Sequence, residues 1–308
     1  MYLVVLMYML FASTFTIGKA ALSYLSPVFF IGIRMVLGGS MLLGYLYFFR
    51  REKFFLKKEH FSLFLQITIF HIYLAYVLEF YALNYLTSFK TAFIYNLSPF
   101  IAAIFAYLFL HEKMNLKKVI GLLIGFFGFF LILANGESPG EVGKQAFWFF
   151  SWPEIALLIA VFSAAYGWIV FKKLSKAGNY SPFMINGTGM LAGGFLALIT
   201  SFFIEKTFYA AARPIQSWTT SDLFACFGYT LLLIIIANVI AYNLYGHLLK
   251  KYSITFLSFS GFLCPLAAAL FGNIFLGELP TARFFLALAI VTLGLYIFYK
   301  EEKRPLLV

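Results

Sequence analysis

The sequence predicts an all-α integral membrane protein of ten transmembrane helices, built as two inverted five-helix repeats. Three observations predict it. Apolar types make up 63% of the 308 residues and charged types 11%, against about 45–50% and roughly 25% in a soluble domain. The mean hydropathy of +0.91 implies more apolar surface than a particle of this size can hide from water. The apolar residues fall into ten runs of about membrane-spanning length, and the second five runs repeat motifs of the first. The same composition excludes a soluble enzyme, a disordered scaffold and a secreted disulfide framework.

Taken in order, the first five runs are 3–22, 27–49, 61–83, 88–110 and 116–134. The second five are 154–171, 182–204, 223–247, 253–276 and 281–299. Each is bounded by charge, Gly or Pro. The first lacks a basic leader and an A-x-A-like cleavage site, so it reads as a retained helix. Most connections are a few residues long, which makes neighbouring helices antiparallel. Two are longer: 135–152, with Gly136, Pro139, Gly140 and Gly143, and 206–222, with Pro214. The organisation is therefore a first repeat over 1–134, a linker over 135–152, a second repeat over 153–300 and a cytoplasmic tail over 301–308.

The net charge of +11 sits in short clusters between apolar runs. Counted by side, 16 Lys and Arg fall in the 50–60, 111–118, 172–176 and 250–251 loops and the tail, against 6 opposite. The positive-inside rule then puts both termini in the cytoplasm, with the chain in the cytoplasmic (inner) membrane. No like-charge run is long enough for a nucleic-acid-binding tail. Cys226 and Cys264 lie inside apolar runs and read as inert small hydrophobes.

The halves repeat. The stretch from Ser26-Pro27 to Gly38-Gly39 aligns without gaps on Ser181-Pro182 to Gly193-Gly194, an offset of 155. Pro99, Glu112 and Gly128 align on Pro265, Glu278 and Gly294 at an offset of 166, and Ala75-Tyr76 matches Ala241-Tyr242 there too. Five helices per copy is an odd number, so the second copy inserts upside down. Inverted repeats are the architecture of secondary transporters, with the substrate site at the repeat interface.

Five features carry a family resemblance: Ser98-Pro99 followed by Leu110-His111-Glu112-Lys113, the Gly125/Gly128 run, Cys264-Pro265, Leu276-Gly277-Glu278, and Arg34 in the second run. Together they resemble the EamA-like members of the drug/metabolite transporter superfamily, over about residues 3–299. The resemblance implies an alternating-access carrier. Its central cavity would be lined by the first four helices of each repeat, with the fifth and tenth serving as peripheral scaffold or dimer contact.

Glu112 and Glu278 each end a long run. Inverted repeats put them on opposite bilayer faces, roughly 30 Å apart, so helix-end roles suit them and a shared acid–base reaction does not. His111-Glu112-Lys113-Met114-Asn115 falls short of the H-E-x-x-H zinc signature because Asn115 replaces the second His. No metal or cofactor is expected. Gly121/Gly125 and Gly189/Gly193 are G-x-x-x-G pairs for close helix packing inside the bundle; a homodimer contact through the fifth run is the other reading. Pro99 and Pro265 lie near the middle of the fourth and ninth runs, as hinges or as static kinks.

Ionisable residues inside a membrane helix are costly unless they face the bundle interior or water. Arg34, His71 and Glu79 are three such residues, and Tyr76, Asn84, Tyr95 and Asn96 fall in the same region. Their counterparts in the second half, Gly189, Ala237 and Tyr245, carry no charge. An asymmetric charge set in a symmetric scaffold points to a ligand site. Structural readings stand beside it: Glu79 paired with Lys90, His71 as a bonded core histidine, and Lys19 snorkelling to the outer headgroups.

A site with Arg34, Glu79 and the rings of Tyr73, Tyr76, Tyr81 and Tyr95 suits a zwitterionic or cationic ligand with a flat ring. Arg34 takes a carboxylate, Glu79 offsets an amine or sulfonium, and a tyrosine face adds stacking. S-adenosylmethionine combines these groups, and Phe93-Ile94-Tyr95-Asn96-Leu97-Ser98-Pro99 is similar to family members that import it. Amino acids or drugs, exported as the family resemblance implies, are the alternative, with lipid flipping a further one. Neither a G-x-S-x-G motif, a selectivity filter nor a phosphate-binding loop is present, so the expectation is a secondary transporter of a small-molecule metabolite.

Overall fold

The computed structural model describes residues 2–110, 115–133, 145–147, 150–205, 218–252, 257, 260–261 and 263–302. His111, Glu112, Lys113, most of the 135–152 linker and the tail from 303 lie outside the described residues. The first half contains α1 (Tyr2–Ala21), α2 (Pro27–Phe49) and α3, a continuous helix running through Phe61–Gln66, Ile67–Leu74 and Ala75–Tyr85. It continues with α4 (Ser88–Tyr95), α5 (Ser98–Leu110) and α6 (Leu116–Leu133). The second half contains α7 (Trp152–Ala177), α8 (Pro182–Ile204) and α9, which runs through Thr220–Leu233, Ile234–Ala241 and Tyr242–Leu248; α10 (Leu263–Leu276) and α11 (Ala282–Glu302) close it.

Among the described residues, six helices are long and apolar enough to cross a membrane, spanning Tyr2–Ala21, Pro27–Phe49, Lys58–Tyr85, Trp152–Ala177, Pro182–Ile204 and Thr220–Leu248. One small departure from the all-helical expectation lies in the linker, where Gln145–Phe147 pairs antiparallel with Phe150–Ser151. Ser151 at once caps α7, with Glu154 completing a capping box, so the short pair leads directly into a well-anchored helix.

Helix starts follow local chemistry. Pro27 and Pro182 occupy first turns behind Ser26 and Ser181, where a missing N–H costs nothing. The Thr87 hydroxyl accepts from the Lys90 N–H to cap α4, and Thr219 with Asp222 forms a capping box on α9.

Three elements differ from expectation. The middle stretches of α3 (Ile67–Leu74) and α9 (Ile234–Ala241) are π-helical. The wider turn leaves carbonyls to be satisfied from elsewhere; in α9 the Asn243 amide donates to the carbonyls of Asn238 (3.1 Å) and Val239 (2.9 Å). The fourth run is not one helix bent at Pro99. It ends at Tyr95, turns at Asn96–Leu97 and restarts at Ser98, which puts Pro99 in the first turn of α5. Pro265 likewise sits in the first turn of α10, after a turn in which the Cys264 N–H donates to the Gly261 carbonyl at 2.9 Å. Both prolines thus occupy first turns, where the ring is tolerated as it is not in a helix interior.

Glycines set the closest helix approaches, and they do so reciprocally. A Cβ added to Gly39 would lie 2.5 Å from the Leu191 nitrogen and 2.8 Å from the Gly187 oxygen; one on Gly194 would lie 2.7 Å from the Val36 nitrogen and 3.0 Å from the Gly32 oxygen. These are the same contacts shifted by 155. The α6–α11 pair repeats the pattern at an offset of 166. Gly128 lies 3.0 Å from the Ala287 oxygen and the Val291 nitrogen, and Gly294 lies 2.6 Å from the Gly121 oxygen and the Gly125 nitrogen, by the same construction. The Gly121/Gly125 face is therefore filled by α11 of the same chain, and a homodimer contact through α6 would have to use another face. α6 and α11 pack chiefly on each other.

Candidate functional site

The apolar bundle surrounds a central cavity with about 110 Å³ of water-accessible space. Its wall comes from α1, α2, α3, α4, α5, α7, α9 and the Gly261–Cys264 turn. Arg34, His71, Tyr76, Glu79, Tyr95 and Asn96, six of the nine residues singled out from sequence, line it. No residue of α6 or α11 does, among the described residues.

Arg34 is 1% exposed. Its guanidinium carbon lies 4.7 Å from the Phe80 ring centroid and 5.4 Å from that of Tyr76, a cation–π setting that partly replaces lost water. Glu79 lies within electrostatic reach, and the Tyr95 hydroxyl lies beside its carboxylate. No ion pair joins Arg34 to Glu79 among the described residues. These two are the cavity's formal charges, one of each sign.

Buried polar atoms nearly always have partners, so the exceptions are informative. Among the described residues, the buried side-chain atoms without a partner include Arg34 Nε and Nη1, His71 Nδ1 and Nε2, and Asn96 Nδ2. All five belong to cavity-lining residues. The Ala164 backbone lies near the His71 ring but does not complete a hydrogen bond to it. His71 sits in the π-helical stretch of α3 and fits only because residue 167 is glycine: a Cβ there would lie 2.5 Å from His71 Cβ.

Other expectations need correction. The Tyr73 hydroxyl bonds Thr200 Oγ1 at 2.6 Å, and Tyr81 packs on Tyr85 with centroids 5.2 Å apart. Asn84 is exposed at the end of α3. None of the three lines the cavity. Tyr81 is five residues beyond Tyr76, roughly 140° around the helix, and the wider π turn re-aims Tyr73.

Lys90 does not pair with Glu79. It meets Glu154 at 2.9 Å, both side chains almost fully buried, because the third residue of α4 faces the first turn of α7. Lys19 does not snorkel: its ammonium donates to the Leu83 (2.8 Å), Asn84 (3.3 Å) and Leu86 carbonyls at the end of α3. Glu278 has the helix-end role expected of it, accepting from the Ser88 N–H (3.0 Å) and hydroxyl (2.5 Å) at the start of α4. Glu205 accepts from the Val28 and Phe29 N–H groups at 3.0 Å in the same manner. Carboxylates at helix N-termini suit both the free N–H groups and the dipole.

Sequence reasoning missed part of the wall: Phe11 of α1, Trp168 of α7, and Tyr242 and Tyr245 of α9. A signal for Tyr242 was present in the Ala75-Tyr76/Ala241-Tyr242 match, and the two tyrosine rings face each other with centroids 5.5 Å apart. At the same offset of 166, His71 and Ala237, Glu79 and Tyr245, Tyr95 and Gly261, and Ser98 and Cys264 also line the cavity in pairs.

A bundle of apolar helices around a cavity with one buried cation, one buried anion and an aromatic wall is the build of a membrane carrier for a small organic molecule. Residues 1–134 and 151–300 match the EamA-like transporter family, and the chain belongs to that family: it is a multi-pass membrane transporter, not an enzyme. It is 34% identical over 306 residues to the S-adenosylmethionine/S-adenosylhomocysteine transporter of Chlamydia muridarum (strain MoPn / Nigg), covering 98% of this chain and 92% of that one. The protein of the same description from Chlamydia trachomatis serovar L2 is 33% identical, covering 98% and 90%. An uncharacterized transporter of Bacillus subtilis (strain 168), YvbV, is 29% identical, covering 93% and 87%. A solved crystal structure shares the fold, with a TM-score of 0.67, 14% identity, and coverage of 98% of this chain and 97% of that one.

Proposed function

We propose that the protein is a secondary active transporter that carries an S-adenosylmethionine-type metabolite across the cytoplasmic membrane by alternating access. The observation that carries the proposal is the composition of one cavity: buried Arg34 and Glu79, not paired directly with each other, beside a wall of aromatic rings. S-adenosylmethionine presents the complementary set. Its carboxylate meets Arg34, its ammonium or sulfonium faces Glu79, and its base meets a ring. The activity of the two chlamydial relatives supports the same substrate class.

The architecture that goes with this is ten crossings, with α4 and α5 together making one and the 253–276 segment another. Both termini lie in the cytoplasm, and the repeats (1–134 and 153–300) are related by a two-fold axis in the membrane plane. The reciprocal glycine contacts support that axis, since two copies related by a two-fold make each contact twice. The breaks before Pro99 and Pro265 sit at matching places in the repeats and serve as the hinges on which the cavity opens to either side.

The test is counterflow. Purified protein in liposomes loaded with unlabelled S-adenosylmethionine should accumulate the radiolabelled compound transiently, and S-adenosylhomocysteine should compete. Countertransport of free amino acids or of cationic drugs, with none of S-adenosylmethionine, replaces this reading with an amino-acid or drug exporter.

A further inference from the structure

Arg34 and Glu79 account for one pole of the cavity. Beside them, beyond the Tyr76–Tyr242 ring contact, the wall is aromatic and has an unpartnered polar group of its own. Trp168 and Tyr245 lie with ring centroids 4.0 Å apart, and Trp168 and Tyr242 are 6.0 Å apart with planes only 14° from parallel. The His71 ring stands edge-on to Trp168 at 4.3 Å and 70°. It is 1% exposed, and neither ring nitrogen has a hydrogen-bond partner.

An apolar occupant would satisfy the rings and leave the imidazole unpaired, at a cost. A polar, non-planar occupant would do the reverse. A flat heteroaromatic ring does both: its face stacks on Trp168 or Tyr242, and its nitrogen edge exchanges a hydrogen bond with His71. Stacking of a base on an aromatic side chain is sequence-tolerant, because every base has a π-face. The edge contact is what selects among rings.

We infer that His71, Trp168, Tyr242 and Tyr245 form the subsite for the purine ring of an adenosyl ligand, with His71 reading the ring edge. The inference rests on the substrate reading above and assigns the two ends of that ligand to adjacent stretches of the wall. The amino-acid head lies toward α2 and the Glu79 end of α3. The base lies between α7 and α9. The subsite has no counterpart across the repeat: His71 matches Ala237 at the offset of 166, so the pole exists once and the ligand has one orientation.

Four probes separate the poles. S-adenosylmethionine carries both ends, and adenosine carries the base alone. S-methylmethionine carries the carboxylate, ammonium and sulfonium without a base, and inosine alters only the ring edge. Binding to purified full-length protein in detergent should weaken more than tenfold for S-adenosylmethionine and adenosine in Trp168→Leu and His71→Leu, with S-methylmethionine within twofold of the parent. Trp168→Phe should retain most of the affinity because it keeps a π-face. His71→Gln should retain adenosine binding but change its ratio to inosine. These two conservative variants guard against a loss caused by misfolding. If the Leu variants weaken S-methylmethionine as much as S-adenosylmethionine, or weaken neither, the subsite is overturned. A parent that binds adenosine but not S-adenosylmethionine overturns the substrate reading and leaves the subsite standing; one that binds no base-bearing probe overturns both.

Discussion

Arg34 is held inside an apolar bundle by what surrounds it. Phe80 and Tyr76 present their faces to the guanidinium, Glu79 supplies an opposite charge nearby, and two of its nitrogens remain for a ligand. A carboxylate bound there adds charge-assisted hydrogen bonds that an ammonium cannot match in geometry. Arg34→Lys should therefore weaken carboxylate-bearing ligands while leaving their methyl esters close to the parent. Glu79→Gln should weaken cationic ligands more than tenfold, about 1.4 kcal/mol. Competition against labelled substrate in liposomes measures both. If both variants behave like the parent, the charge-pair site is discarded, and Lys90 offers no fallback partner for Glu79 because it pairs with Glu154. These residues were legible from sequence because a charge inside a membrane helix is rare and expensive. The aromatic wall was not. In a chain with 41 Phe and 20 Tyr, one ring looks like another until helix rotation is known, so Tyr73 and Tyr81 were favoured and Trp168 and Tyr245 passed over.

Elements were legible to the extent that hydropathy marks them. The runs 27–49 and 182–204 coincide with α2 and α8, since Ser-Pro starts and charged or polar ends bound them. Hydropathy does not see a two-residue turn inside an apolar run, and so Asn96–Leu97 was invisible. Nor does a π-helical stretch have a sequence signature; it survives because neighbours such as Asn243 satisfy the freed carbonyls. The pairing of Lys90 with Glu154 and the capping of α4 by Glu278 depend on which helix ends meet, a tertiary fact. The broken α4–α5 connection gives a prediction of its own. Pro99 keeps the first turn of α5 from fusing with α4, because it has no N–H to extend the ladder. Pro99→Ala should permit a continuous helix and slow exchange between inward and outward states. Turnover should then fall more than affinity, because a hinge sets interconversion rather than contact. Equal losses in both, or unchanged turnover at normal expression, would leave the break as a static feature.

At the scale of the whole molecule, two kinds of symmetry coexist. The scaffold is reciprocal: Gly39 against Gly187 and Leu191 mirrors Gly194 against Gly32 and Val36, and Gly128 against Ala287 and Val291 mirrors Gly294 against Gly121 and Gly125. The lining is not, since Arg34, His71 and Glu79 correspond to Gly189, Ala237 and Tyr245. A duplicated frame with interchangeable halves can rock between two equivalent arrangements, while an unduplicated site fixes what it carries. The proposed inversion suits this division, because inverted copies present matching surfaces to opposite sides of the membrane. Inversion has a direct consequence for topology. In the proposed ten-crossing topology residue 55 follows two crossings and residue 145 follows five, so a reporter fused after 55 should read the cytoplasm and one after 145 the outside. The excess of Lys and Arg in the 50–60 loop favours the same assignment. Fusions that report one compartment at both positions would mean an even number of crossings between them, and the five-helix inverted repeat would then be wrong despite the reciprocal contacts.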